Sequence, residues 1–259
     1  MPSFRITLEY DGTDFSGWQR QRVPRTVQGE VEAALALLCR RPVPIKAAGR
    51  TDAGVHATGQ VASFALETLP WGDRIEDFVG DLACRLDRAL PEDIAVRDLS
   101  VAAPGFSARH DALRRSYRYR IRRRRRPLSR HLSWAVPYEL DPEPMGAAID
   151  IMRKHKDFKA FTRVELELPA YLVELSRLEL VRAEDGFDLL VRARRFLHNM
   201  IRIMAGTLVD VGRGRLVPAD VDHALRMRDR RLAGPTAPPH GLCFEGADYA
   251  DVDSRPAER

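Results

Sequence analysis

The sequence predicts an α+β fold, and three observations carry that prediction. The chain opens on a period-two alternation, in which Phe4, Ile6, Leu8 and Tyr10 interleave with Arg5, Thr7 and Glu9. Several later segments switch to helical spacing behind residues that cap helices well. Helices and strands then alternate irregularly, with hairpin-like strand pairs, which disfavours a doubly wound parallel sheet.

Taken in order, the first strand ends at Asp11-Gly12, a pair with turn chemistry. Thr26 caps a helix that places Val27, Val31, Ala34, Leu35 and Leu38 on one face. Val43 to Ala48 reads as a strand, followed by a glycine-flanked loop and an apolar segment from Gln60 to Leu66. A second helix turns Ile75, Phe78, Val79, Leu82 and Leu86 inward, and Pro91 introduces a short strand near Ile94 to Val96. The stretch Ala102 to Gly105 divides the chain into an N-terminal half, 1–105, and a C-terminal half, 106–249, with a short charged tail at 250–259 that is expected to fray. Past the division comes a basic strand with Tyr117, Tyr119 and Ile121 on one face and Arg118, Arg120 and Arg122 on the other. Asp141-Pro142 opens a helix as cap and first-turn proline, with Met145, Ala148, Ile149 and Met152 apolar. Two strands follow near Leu172–Val181 and Phe187–Ala193. A helix from about Phe196 to Val209 then buries Phe196, Met200, Ile203, Met204 and Thr207.

Composition narrows the function. At 259 residues and 44% apolar content, wholesale disorder and collagen-like architecture are excluded. No apolar run approaches the length of a membrane span, and Met1 to Arg5 lacks a signal-peptide core, so a soluble cytoplasmic protein is expected. Cys39, Cys84 and Cys243 are odd in number and never paired as CxxC, which argues against a disulfide framework or a cysteine-rich zinc site. The net charge of +5 is localised: Arg109 to Arg130 holds eleven arginines and one acid, Asp111, leaving the rest of the chain negative. Such a patch suits an anionic polymer. With only four lysines in the chain, a general bias toward arginine explains the residue type but not its clustering.

The most unusual local string is Gly49-Arg50-Thr51-Asp52-Ala53-Gly54-Val55-His56-Ala57. Glycines flank a carboxylate, a guanidinium and an imidazole, so the backbone can approach a ligand closely while several functional groups are displayed together. On spacing alone, Asp52 reads as a turn residue and His56 as a structural hydrogen-bonder. No histidine or carboxylate completes a recognised ligand spacing, so no metal and no cofactor are expected.

Taken together, the strings along the chain resemble those of the tRNA pseudouridine synthase A family. Gly12-Thr13-Asp14-Phe15-Ser16-Gly17-Trp18-Gln19-Arg20-Gln21, Arg25 to Glu30 and Gly49 to Ala57 come first, then Leu90 to Ile94, Ser116 to Arg120, Phe196 to Arg202, Val211 to Arg215 and Pro235 to Leu242. They appear in the family's order between about Phe4 and Tyr249. Two features depart from it. Asp87 stands where the family usually has asparagine, and Arg163 to Leu175 lacks the usual cysteine and arginine, reading Val164-Glu165-Leu166-Glu167-Leu168-Pro169.

The resemblance implies an isomerase that turns uridines 38 to 40 of the tRNA anticodon arm into pseudouridine. It implies a mixed, largely antiparallel sheet in two similar halves flanked by helices, a basic central cleft, and a homodimer. Asp52 matches the family's nucleophile, with attack at C1′, attack at C6 and a glycal route all left open. Arg202 matches the basic partner of that aspartate, since an adjacent guanidinium keeps a carboxylate ionised. Tyr117 matches the tyrosine expected to stack on the target base. Tyr119 shares its face of the strand, so local pattern does not choose between the two. Arg50 is expected to help flip the uridine, with His56, Arg20, Arg109 and His110 as further RNA contacts. Phe15 and Trp18 read either as cleft lining or as packing against the first helix. The arginines at 122–126 read either as tracking phosphates or as a solvated loop.

Two other classes compete. An RNA-binding or RNA-folding protein explains the basic segment equally well but gives no reason for a carboxylate at Asp52. An aspartate-nucleophile hydrolase needs a magnesium-binding carboxylate cluster or a second catalytic carboxylate, and the sequence shows neither.

Overall fold

The computed structural model describes residues 1–72, 74–163 and 170–250. The divergent string at 164–169 and nearly all of the charged tail lie outside them. The fold is α+β as expected: a mixed sheet and, among the described residues, five α-helices. Contacts divide the chain into two compact units, Met1–Arg115 with the segment from Phe244 onward, and Ser116–Cys243.

The first unit is built on β1 (Ser3–Tyr10), followed by α1 (Val27–Cys39), β2 (Lys46–Ala47), β3 (His56–Ala65), α2 (Ile75–Ala89) and β4 (Ile94–Ala102). β1 lies between β4 and β3 and is antiparallel to both, in the register Phe4 opposite Phe64 and Val101. Its alternation is realised as read, with Phe4, Ile6, Leu8 and Tyr10 all buried. Phe4 stacks on Phe64 at 5.1 Å and meets Phe78 of α2 at 5.8 Å. Burying one such side chain contributes about 1.5–3 kcal/mol. Thr26 caps α1 by accepting from the Gly29 N–H, and α1 packs on α2.

Three boundaries differ from the sequence reading. The strand expected over 43–48 shrinks to Lys46–Ala47, because Pro42 and Pro44 withhold ladder donors. β3 begins four residues before Gln60, at His56, and β4 runs on to Ala102 instead of stopping at Val96, since β1 is long enough to pair along its whole length.

The second unit contains β5 (Arg114–Arg122), apart from its first two residues, then β6 (Trp134–Ala135), α3 (Pro142–Lys154), β7 (Leu175–Ala183), β8 (Gly186–Ala193), α4 (Met200–Gly212) and α5 (Pro218–Met227). β8 lies between β5 and β7, and β6 runs parallel to β5, which makes the pairing mixed. Asp141 caps α3 through the Glu143 N–H, as Asp141-Pro142 predicts. α3 packs on α4 and α5, and Met145, Phe158, Phe161, Met204 and Leu208 are fully buried.

The helix expected from Phe196 starts at Met200 instead. Asn199 before it is left-handed, φ +61°, which breaks the helical path. α4 is also buried nearly all round, with only Arg202 and Asp210 half-exposed, so it is a core helix and not a one-sided one. The last strand, β9 (Leu242–Asp248), returns to the first unit from Phe244, where it lies beside β3. Among the described residues no helix is long and apolar enough to cross a membrane.

Candidate active site

Asp52 stands at the start of a tight turn in the first unit. The Val55 N–H donates to the Asp52 carbonyl at 3.1 Å, and Gly54 supplies φ +76°, the third-position geometry that favours glycine in a type II turn. The side chain is half-buried.

Bracing comes from the segment after β1. The Trp18 N–H donates to the Thr51 carbonyl at 3.0 Å and the Gly54 N–H to the Phe15 carbonyl at 3.3 Å. Gly12 and Gly17 make this approach possible. A Cβ on Gly12 would lie 2.1 Å from the Val55 carbonyl oxygen, and one on Gly17, at φ +92°, 2.8 Å from that of Thr51. Beneath the turn, the Tyr10 and Thr51 hydroxyls are 2.8 Å apart, and the Gln60 amide donates to the Gly49 carbonyl at 3.0 Å. Phe15 and Trp18 are buried, so of their two readings the packed one holds.

The other motifs of this unit attach to the same frame. Arg25 grips Asp93 with two hydrogen bonds of 2.6 and 2.9 Å, and Asp93 accepts the Asp11 N–H through its own carbonyl at 3.0 Å. The Asp93 carboxylate raises the Arg25 pKa above its already high ordinary value. Asp87 accepts the Val96 N–H at 2.8 Å, which an asparagine oxygen would do equally.

Among the remaining residues singled out in this unit, Arg50 is exposed on the loop before Asp52. His56 is buried, with Nδ1 accepting the Gly12 N–H at 3.0 Å and lying 3.1 Å from the Asp11 carboxylate. Arg109 and His110 are exposed, and Arg115 ties their segment to the loop: it donates to the Ala48 carbonyl at 2.8 Å and to that of Arg109 at 2.7 Å. Arg20 is exposed but paired with Glu32 at 3.0 Å.

Tyr117 and Arg202 belong to the second unit. Tyr117 is buried, edge-on to Phe196 at 5.1 Å. Tyr119 is more deeply placed: its hydroxyl donates to the Pro238 carbonyl at 2.8 Å, and burial pushes its pKa far up. Gly241 packs so close to this ring that a Cβ there would lie 2.5 Å from it. Structure thus separates two tyrosines that local pattern left equivalent.

Arg202 sits in the first turn of α4. Its Nε donates to the Ala237 carbonyl at 2.8 Å and one terminal nitrogen to Asn199 Oδ1 at 2.9 Å, which together set the plane of the guanidinium. His198 precedes the helix. The sequence does not single out Asn199 or the Ala237 carbonyl as partners of Arg202, although both lie in strings quoted above.

Part of the arginine run is answered by acids of its own unit. Asp188 binds Arg118 at 2.9 Å and Arg122 at 2.6 Å, while Arg126 lies 3.5 Å from Glu184 and 3.8 Å from Asp185.

A family model described as tRNA pseudouridine synthase matches residues 6–98 and 155–250. Proteins named tRNA pseudouridine synthase A from Methylobacterium nodulans and Rhizobium meliloti are each 42% identical, over 254 and 252 residues. Those alignments cover 97% and 96% of this chain, and 98% and 100% of the relatives. One from Agrobacterium fabrum is 43% identical over 255 residues, covering 97% of this chain and 94% of its own. Since the family model takes in well over half of the residues, and its motif strings knit around the Asp52 turn, the chain belongs to the tRNA pseudouridine synthase family.

Proposed function

We propose that the protein isomerises uridine to pseudouridine at positions 38 to 40 of the tRNA anticodon arm, with Asp52 as nucleophile. Family membership makes it an enzyme, an isomerase acting on tRNA. The reaction breaks the bond from N1 to C1′, turns the uracil and joins C5 to C1′. The C5 hydrogen leaves as a proton and N1 gains one, so atoms and electrons balance without a co-reactant.

The observation that carries the reading is the bracing of the Asp52 turn by Gly12 and Gly17. A nucleophile gains rate from being held in place before the substrate arrives, and a half-buried carboxylate on a clamped turn meets that need. In this reading Arg202, with its guanidinium plane set by Ala237 and Asn199, pairs with the aspartate and orients it. Tyr117 offers its face to the flipped base, and Arg50, exposed two residues from Asp52, helps extrude it. Arg20, His56, Arg109 and His110 remain proposed as RNA contacts. The two similar halves with a basic cleft, the homodimer and the cytoplasmic location belong to the same proposal.

The test is release of tritium from tRNA carrying 5-tritiated uridine, without added cofactor, for wild type and Asp52→Asn. Release by wild type alone supports the isomerase and its aspartate together. Tight tRNA binding with no release by either would favour an RNA-binding protein. Asp52→Ala is expected to abolish turnover while holding tRNA affinity within a few-fold, because basic surface supplies most of the binding.

A further inference from the structure

A cavity of about 400 Å³ opens beside the first turn of α4, wholly within the second unit. Arg163, Arg230 and Arg231 line it together with Asn199 and the Gly234–Thr236 segment. Asn199, Pro235 and Thr236 belong to the strings quoted above, whereas the three arginines lie outside them.

Two of these arginines differ in how the fold answers their charge. Arg231 is matched by Asp229 at 2.6 Å. Arg230 is half-buried, and its partners are all neutral oxygens: the carbonyls of Ala233 at 3.3 Å and Gly234 at 2.8 Å, and the Thr236 hydroxyl at 3.2 Å. Burial pushes the Arg230 pKa down with no carboxylate to oppose it. A desolvated cation held only by dipoles gains from an anion brought by a ligand. A hydroxyl that accepts from Arg230, as that of Thr236 does, keeps its own hydrogen to donate.

The wall is also preformed. The Gly234 N–H donates to Thr207 Oγ1 at 2.9 Å, and a Cβ on Gly206 would lie 1.9 Å from the Pro235 carbonyl oxygen. The same segment continues to Ala237, which exchanges hydrogen bonds with Arg202 through its carbonyl at 2.8 Å and its N–H at 3.1 Å. Whatever anion binds here therefore rests on the strip of backbone that sets Arg202. Among the described residues no aromatic ring lines the cavity to stack on a base, which favours phosphate as its occupant.

We propose that this cavity is a backbone-phosphate subsite for the tRNA, filled by a phosphodiester when the substrate docks. The proposal rests on the reading of the chain as a tRNA-uridine isomerase. Planar guanidinium groups fit a phosphate with two parallel hydrogen bonds, and the hydroxyl and amide at the rim complete its donor set.

The experiment measures tRNA affinity of the full chain against salt concentration for wild type, Arg230→Gln and Arg163→Gln. Arg88→Gln, an exposed charge in the last turn of α2, serves as control. Loss of one phosphate contact should lower the slope of log K against log salt by about 0.7–0.9 and weaken binding about tenfold near physiological salt, beyond the change in the control. Arg163 is exposed, so its variant keeps the test open if Arg230→Gln fails to fold. Slopes indistinguishable from the control in both folded variants overturn the proposal. In a second arm, inorganic phosphate replaces chloride at matched ionic strength in thermal melts. Stabilisation by phosphate that Arg230→Gln abolishes, with tRNA slopes unchanged, would make this a small-anion site and overturn the RNA assignment. Wild-type tritium release with unchanged slopes sinks the subsite alone. Altered slopes without tritium release sink the isomerase reading and leave the subsite.

Discussion

Replacing Gly12 by alanine tests the bracing of Asp52 without touching a functional group. The added Cβ would stand 2.1 Å from the Val55 carbonyl oxygen, where ordinary contact begins at 3.4 Å. The Val55 peptide must therefore recede by about 1.3 Å, the difference between those two distances. Backbone, and not the tip of a flexible side chain, has to give way, and it is the backbone that closes the Asp52 turn through the Val55 N–H. The Gly12 N–H to His56 Nδ1 bond, at 3.0 Å, is pulled in the same movement. Overpacking of this kind costs about 1–3 kcal/mol of stability. A reacting group displaced by about 1 Å loses on the order of 100-fold in rate. Gly12→Ala is thus expected to lower kcat about 100-fold, read by tritium release at saturating tRNA, while the protein still melts cooperatively. Gly80→Ala is the control: a Cβ there meets nothing within 4 Å, in the middle of α2, so a gain of about 0.5–1 kcal/mol with kcat unchanged is expected. A folded Gly12→Ala variant with kcat within twofold of wild type would refute the bracing argument.

Two further predictions concern stability. Tyr119→Phe removes the donor to the Pro238 carbonyl and leaves that oxygen without its 2.8 Å partner, at a cost of about 1–2 kcal/mol in urea unfolding; an unchanged midpoint would contradict it. Asp229 is held at about 2 by hydrogen bonds from Arg231, the side-chain bond first and the backbone bond second. A depressed carboxyl pKa adds stability that is complete above the unfolded value and is lost as pH falls through the folded one. The melting temperatures of wild type and Asp229→Asn should accordingly differ by a constant amount above about pH 5 and converge as pH falls through about 2. A gap that persists at the acid end would show that the carboxylate charge is not its source.

What could be read from the sequence depended on whether the cause was local. The burial of β1 follows from its alternation, and the start of α3 from Asp141-Pro142, because cap and period act within a few residues. α5 and β9 went unread for the opposite reason. Only Val221, Ala224 and Leu225 are buried in α5, too few to draw a stripe, and β9 takes its place from a strand nearly two hundred residues earlier. The apolar spacing that seemed to extend α4 back to Phe196 was real, but Phe196 serves Tyr117, and left-handed Asn199 separates it from the helix.

The site shows the same division in its charges. Counting residues along the chain makes Arg109 to Arg130 the most basic segment, yet counting sees no partners. Asp188, some seventy residues beyond Arg118, binds that arginine and Arg122 together, and Glu184 and Asp185 face Arg126, so part of the run's formal charge is offset by acids that a local count leaves out. Arg230 lies in a short basic stretch of its own, Arg226 to Arg231, with four arginines and one acid, Asp229, and nothing in that spelling separates it from its neighbours. Folding gives Asp229 to Arg231 and leaves Arg230 half-buried among carbonyls and one hydroxyl. An anion gains most from a cation that the protein has desolvated and left without a counter-charge, and that property depends on pairing, which only the tertiary structure sets. Arg230, half-buried and bonded to neutral oxygens, is therefore a position at which pairing, and not a count of arginines, points to a phosphate.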